Sequence, residues 1–142
     1  MARQAEAEWK GDLKGGSGRV KLGSGAYEGN YSFATRFENG TGANPEELLG
    51  AAHAGCFSMA LANSLATAGF TATSVHTNAD VHLAKDDKGF LINLIELTVD
   101  AVVPNIDDAT FQQHVEKTKV GCIISRALGS VPSMTVKATL KS

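Results

Sequence analysis

Alternation of apolar and polar residues along the chain predicts several β-strands. A period of two is typical of strands that bury one face. Within 31–37, the aromatic residues and Thr35 share one face of the predicted strand, so Arg36 is expected on the opposite face. The pattern indicates strands at 5–9, 20–22, 31–37, 75–83, 95–103 and 134–140.

Two pairs of these strands are predicted to form hairpins. The glycine-rich run 15–18 joins the first pair. It is not a phosphate-binding loop, because no Gly-Lys-Ser/Thr follows and the next residues alternate like a strand. The turn 86–89 joins the other pair, whose return strand ends at Pro104.

The strongest local pattern predicts one long helix. Asn44 is placed as the N-cap and Pro45 at the first helical position, with Glu46 and Glu47 in the first turn and Gly69 as the stop. About 24 residues give a helix about 36 Å long. A compact globule of 142 residues has a radius of gyration of about 14 Å and therefore a diameter only in the high thirties of ångströms. The helix is thus predicted to cross the whole monomer.

Two shorter helices complete the prediction. One begins after an N-cap at Asp107 or Asp108, turns Phe111 and Val115 inward and runs to about Lys119. The other covers about 122–128 and stops at Gly129. Strands joined by turns, with helices segregated to one face, predict an α+β fold of antiparallel strands in a single domain, 1–142.

The long helix carries no charged residue between Leu48 and Ala68, so it is expected to be buried nearly all round. A membrane span is disfavoured, because small residues dominate and the flanks lack aromatic or basic anchors. One short chain has too little material to cover both faces of such a helix. A homodimer that buries two of these helices together is therefore predicted.

Composition and charge exclude several classes of function. Thirteen basic against 15 acidic residues give a net charge of −2, without the basic block that nucleic-acid binding needs. The first nine residues lack the apolar core of a signal peptide, so a reducing cytoplasm is expected. Two cysteines are too few for a disulfide scaffold or a four-thiolate zinc site.

Cys56 and Cys122 are the candidates for chemistry, although free cysteines are commonly inert core residues. Cys122, predicted at the first position of a short helix, faces its positive end, which favours the thiolate. Cys56 lies mid-helix and needs an external cation, for which Arg36 is the candidate. The alternative for Arg36 is a solvated side chain on an open sheet face.

Glu46 precedes Cys56 by ten residues, which is about 15 Å along one helix. Glu46 therefore either complements the helix dipole only or acts on the cysteine of a partner subunit. His53 shares a helix face with Cys56, but the other histidines lack metal-ligand spacing, so no metal or cofactor is predicted. His53 is expected to pack in the core or against a dimer partner.

The run 44–61, with Thr35-Arg36-Phe37 before it and Gly121-Cys122 after it, resembles the OsmC branch of the OsmC/Ohr family. The likeness extends to Trp9-Lys10-Gly11-Asp12 and to the closing residues 140–142.

This resemblance implies intertwined homodimers in which sheets wrap two central helices, and reduction of organic hydroperoxides by two cysteines. Carried over, it makes Cys56 the peroxidatic thiolate, Cys122 the resolving thiol, and Arg36 with Glu46 the pair that activates Cys56. It also implies a reductant that is a lipoyl-type or other small dithiol. A redox sensor that uses the same disulfide as a switch is the alternative function.

Two residues depart from the family pattern. Ile123 follows the second cysteine where the family usually has proline, which removes a fixed φ but no reactive group. The Ohr branch takes its arginine from an earlier segment, where this chain has Arg19. Arg36 is the preferred activating residue and Arg19 the alternative.

Overall fold

A computed structural model of the chain describes residues 1–141 and has the predicted α+β composition. The chain forms two compact units, Met1–Leu48 and a second that begins at Leu49. In chain order, the described elements are β1 (Ala5–Lys10), β2 (Ser17–Leu22), β3 (Glu28–Tyr31), α1 (Phe33–Phe37), α2 (Pro45–Thr67), β4 (Ser74–Asp86), β5 (Gly89–Val102), α3 (Asp108–Gly121), α4 (Ile123–Ala127) and β6 (Ser133–Lys141).

The first unit contains an antiparallel sheet in the order β1-β2-β3, which confirms the first predicted hairpin. Trp9 lies opposite Gly18 in the register, and the rings of Trp9 and Tyr31 are 5.4 Å apart. A Cβ atom at Gly18 would collide with the Tyr31 ring. Glycine at this position therefore lets the two aromatic rings lie across the middle strand.

The predicted strand over 31–37 is wrong, because β3 ends at Tyr31 and residues 33–37 form the helix α1. The cause is a capping box at Ser32. Its hydroxyl accepts a hydrogen bond from the Thr35 N–H at 3.2 Å, and the Thr35 hydroxyl accepts one from the Ser32 N–H at 2.8 Å. Helical spacing places the rings of Phe33 and Phe37 5.0 Å apart. Arg36 is therefore in the last turn of a helix, not on a sheet face.

Both predicted ends of α2 are confirmed. The Asn44 side chain accepts a hydrogen bond from the Glu47 N–H at 2.8 Å, as an N-cap does. At the other end Gly69 has φ +93°, and the N–H groups of Gly69 and Phe70 donate to the carbonyls of Ala66 and Leu65. This pair of bonds is a Schellman motif, which satisfies the last carbonyls of the helix.

The second unit contains a sheet in the order β4-β5-β6. The hairpin β4-β5 is antiparallel, as predicted. β6 pairs parallel to β5, with Ile95 opposite Met134, so the prediction of an all-antiparallel sheet is wrong. The connection explains the difference: α3 and α4 lie between β5 and β6 in the chain, and a crossover of this length can return the chain in the same direction.

One face of α2 packs into the core of the second unit. Its buried side chains recur at helical spacing and cluster with the inner faces of β5 and α3. The main members of this core are Phe57, Leu61, Leu65, Ile95, Leu97, Val99, Phe111 and Val115. By length and composition α2 is also apolar enough to cross a membrane, a test that core helices of water-soluble proteins pass as well.

The opposite face of α2 is exposed, so the prediction of burial all round is not met within one chain. Met59 is 77% exposed, and Ala51, Ala52 and Gly55 are exposed on the same helix. A Cβ atom at Gly55 would meet nothing within 4 Å. At Gly50, in contrast, the Cβ position lies 3.4 Å from the Val81 side chain, an ordinary packing distance from β4.

We predict that Gly69→Ala lowers the free energy of unfolding by about 1 kcal/mol, because an L-residue is strained at positive φ. Gly121→Ala is the matched control, since Gly121 lies in α3 with open space around its Cβ position. Alanine there should leave stability unchanged or raise it. Urea denaturation at one protein concentration measures both changes, and equal losses in the two variants would contradict the prediction.

Candidate functional site

The two cysteines lie side by side in the second unit although they are 66 residues apart in sequence. Cys56 is half-buried in the middle of α2, and Cys122 is fully buried between α3 and α4. Their sulfurs are 3.4 Å apart and share a hydrogen bond. Both thiols are free. A disulfide needs an S–S distance of about 2.05 Å, so a small movement would join this pair.

Cys122 is the residue before α4, whereas the sequence predicted it at the first position of this helix. It is the C-cap of α3 and the N-cap of α4, with φ −58° and ψ 124°, and α4 begins at Ile123. The extended ψ is the reason that Cys122 stands outside both helices. Residues that precede proline share this extended ψ. The ψ of Cys122 is therefore compatible with a proline at position 123.

The surroundings of Cys122 favour its thiolate. Burial raises the pKa of the Cys122 thiol, but hydrogen bonds from the Ser125 hydroxyl and backbone N–H, from the Cys56 thiol and from the Ile124 N–H together hold this pKa below its ordinary value.

A buried serine and histidine extend this pair. His53 is fully buried, as predicted, and its Nε2 atom lies 2.7 Å from the Ser125 hydroxyl oxygen. Burial lowers the pKa of His53, so its ring is neutral at pH 7. The i, i+3 spacing of His53 and Cys56 is visible in the sequence. The role of Ser125 is not, because its partner lies 72 residues away.

Arg36 and Glu46 form a second pair, within the first unit. The guanidinium donates to the Glu46 carboxylate from Nη2 at 2.7 Å and from Nε at 3.0 Å. Glu46 is only 8% exposed, and the Arg36 guanidinium lies 5.4 Å from the centre of the Phe37 ring. The Asn44 side chain also donates to the Thr35 carbonyl, which ties α1 to the start of α2. The guanidinium is therefore held by both a carboxylate and an aromatic ring.

The structure thus brings the four predicted site residues together as two pairs, Cys56 with Cys122 and Arg36 with Glu46. The alternative arginine, Arg19, forms a more exposed ion pair with Glu28 at 2.7 Å. Among residues 1–141, no group of three or more histidine, cysteine or acidic side chains is arranged to hold a metal ion.

Comparison with known proteins identifies the family. A family model described as OsmC-like protein matches residues 38–137. The chain is 48% identical over 141 residues to Peroxiredoxin OsmC of Escherichia coli (strain K12), which covers 99% of this chain and 97% of that protein. The protein of the same name in Shigella flexneri has the same identity and coverage. The chain therefore belongs to the OsmC-like protein family, as its motifs predicted.

Solved structures have the same fold. An organic hydroperoxide resistance protein from Elizabethkingia anophelis matches with a TM-score of 0.71 at 25% identity, covering 100% of this chain and 98% of that one. The organic hydroperoxide resistance protein OhrB of Bacillus subtilis matches with a TM-score of 0.69 at 24% identity, over 97% and 98% of the two chains. These matches confirm an α+β fold with two sheets and helices.

We predict that Arg36 and Glu46 are energetically coupled by about 1.5 kcal/mol in a double-mutant cycle of alanine variants, because their bond is charge-assisted and Glu46 is buried. The matched control is the Arg19–Glu28 pair, which has the same 2.7 Å contact but side chains that are 62% and 39% exposed. Its coupling should be about 0.5 kcal/mol. Urea denaturation measures both cycles, and equal couplings would contradict the role given to burial.

Proposed function

We propose that this chain is a thiol-dependent peroxidase that reduces organic hydroperoxides to alcohols in defence against oxidative or osmotic stress. The observation that carries the proposal is the pair of free thiols, held 3.4 Å apart in a chain 48% identical to a protein named as a peroxiredoxin. A reducing cytoplasm is the proposed location, because both cysteines must return to the thiol state after each cycle.

The first step is proposed at Cys56, the more accessible sulfur. Its thiolate attacks the distal peroxide oxygen, the O–O bond breaks, and the alkoxide takes a proton and leaves as the alcohol. Cys56 is then a sulfenic acid. The Cys122 thiolate attacks the Cys56 sulfur, so the disulfide forms and hydroxide leaves. A dithiol substrate, proposed to be of the lipoyl type, restores both thiols by exchange.

The Arg36–Glu46 pair is proposed to activate Cys56 by placing a guanidinium beside the thiolate. Ten residues of helix, about 15 Å, separate Glu46 from the Cys56 of its own chain. The pair is therefore proposed to serve the Cys56 of a partner subunit. The two hydrogen bonds to Glu46 fix the plane of the Arg36 guanidinium, which supports a positioning role for the carboxylate.

A homodimer would also cover the exposed face of α2. This face is uncharged and carries Met59, which is 77% exposed in one chain. An exposed, uncharged helix face with a large apolar side chain is typical of an interface. The exposed position of Gly55 allows a second helix to approach closely. We infer that the central helices of two chains pack along this face in an intertwined dimer. In this proposal each chain contributes one OsmC-like domain, 1–142.

Cys56→Ser is expected to abolish thiol-dependent consumption of cumene hydroperoxide, because it removes the proposed peroxidatic sulfur. Cys122→Ser is expected to reduce one equivalent and then retain a sulfenic acid that dimedone traps. Mass spectrometry of the unmodified protein after one equivalent should find a disulfide between Cys56 and Cys122 of one chain. The variant that lacks both cysteines is the control for oxidation of the three methionines.

Full activity in Cys56→Ser would refute the assignment of the peroxidatic cysteine. The number of turnovers separates the peroxidase from a redox sensor. A peroxidase consumes many equivalents of peroxide per chain in the presence of a dithiol. A sensor oxidises once and then reacts no further at a comparable rate.

Met59→Glu is expected to convert the dimer to a monomer at micromolar concentration, because it places a charge in the proposed interface. Phe90→Glu is the matched control, since Phe90 is 63% exposed at the β4-β5 turn. Light scattering should give about twice the chain mass of 14.8 kDa for the unmodified protein and the control. A folded monomer without any substitution would contradict the dimer.

A further inference from the structure

Four side chains form a continuous line through the second unit. His53 Nε2 is 2.7 Å from the Ser125 hydroxyl, Ser125 follows Cys122 by three residues in the first turn of α4, and the Cys122 sulfur is 3.4 Å from that of Cys56. The Ser125 hydroxyl also contributes to lowering the pKa of the Cys122 thiol. His53 and Cys122 are fully buried, and Ser125 is nearly so. The mechanism proposed above uses the two cysteines and leaves His53 and Ser125 without a role.

The direction of these hydrogen bonds follows from the other ring nitrogen of His53. Nδ1 is buried and has no hydrogen-bond partner among residues 1–141. A buried N–H without an acceptor is rarer in proteins than an acceptor without a donor. The proton of the neutral ring is therefore placed on Nε2, which donates to the Ser125 oxygen. With its oxygen accepting from His53, the Ser125 hydroxyl keeps its own hydrogen for another acceptor, and its effect on the Cys122 pKa points to the Cys122 sulfur.

We propose that Ser125 is the group that prepares Cys122 for disulfide formation, and that His53 is the positioning residue that orients the Ser125 hydroxyl. This inference rests on the proposed function, because it concerns the second step of that cycle. The Ser125 O–H donates to the Cys122 thiolate, which attacks the Cys56 sulfenic acid. The S–S bond forms, the S–O bond breaks, and hydroxide leaves to take a proton from solvent. No proton passes to His53, whose burial keeps it neutral.

The geometry also explains why a hydroxyl stands at this position. Ser125 follows Cys122 by three residues, so both lie on one side of the first turn of α4. A thiolate in a buried site needs donors to replace water. With Cys56 oxidised, its thiol hydrogen is no longer available to Cys122. The Ser125 hydroxyl is then the side-chain donor that remains beside the attacking sulfur.

The test is to follow both steps after mixing reduced protein with one equivalent of cumene hydroperoxide. Dimedone traps the sulfenic acid, N-ethylmaleimide caps the thiols, and intact mass gives the fraction of each species with time. Ser125→Ala is expected to slow disulfide formation at least ten times more than it slows sulfenic acid formation, so that the sulfenic acid accumulates.

Variants of His53 test whether the residue acts through hydrogen bonding. A merely structural role would not give selective slowing of disulfide formation that the His53→Gln variant rescues. His53→Leu removes the donor and should slow disulfide formation as Ser125→Ala does. His53→Gln restores an N–H group near the position of Nε2, and it should recover at least half of the lost rate on a logarithmic scale. Ser64→Ala is the matched control, because it breaks another serine–histidine bond of α2, the 2.8 Å contact with His114. The control should change the ratio of the two rates by less than twofold.

The outcomes separate the two proposals. If the unmodified protein forms neither sulfenic acid nor disulfide, the proposed function fails and this inference fails with it. If that protein reacts but Ser125→Ala closes the disulfide at the original rate, only this inference is overturned. Equal slowing of both steps in Ser125→Ala, or no rescue by His53→Gln, would also overturn it.

Discussion

The packing of one stripe of α2 against β5 and α3 is the interaction on which the second unit depends. Phe57, Leu61 and Leu65 are fully buried in this core, and each contributes about 1.5–3 kcal/mol relative to an exposed side chain. Cys56 precedes this stripe, and Cys122 is itself a member of the core. The same contacts that stabilise the unit therefore hold two sulfurs together across 66 residues of chain.

Polar groups that are buried in either unit need a hydrogen-bond partner at a fixed position. Placing an unpaired histidine or hydroxyl in an apolar region costs about 1–3 kcal/mol. His53 and Ser125 avoid most of this cost by bonding to each other at 2.7 Å. Glu46 does so by accepting from Arg36. In both pairs one partner lies on α2, so the helix that builds the core also carries the polar groups that need a fixed partner.

The long helix was predictable because its ends carry local chemistry, an Asn44 N-cap and a glycine at positive φ. The prediction over 31–37 was wrong because it used only the spacing of apolar residues, which fits a strand. The capping box at Ser32 instead stabilises a helix there. The parallel pairing of β6 and the contact of His53 with Ser125 depend on distant parts of the chain meeting. Local periods and motifs of a single sequence do not predict contacts between distant segments. The two cysteines were predicted because the chain resembles a known family.

The two sulfurs must approach by about 1.4 Å to bond, from 3.4 Å to about 2.05 Å. Cys56 is held by helical hydrogen bonds on both sides, in the middle of the 23-residue helix α2. Cys122 stands between two helices with non-helical ψ, and α4 after it has only five residues. The movement therefore falls on the Cys122 junction rather than on α2. A Cys56–Cys122 disulfide would close this 66-residue loop and stabilise the oxidised fold by about 4 kcal/mol in the chain-entropy model. In the proposed cycle, the reductant would have to reverse that gain.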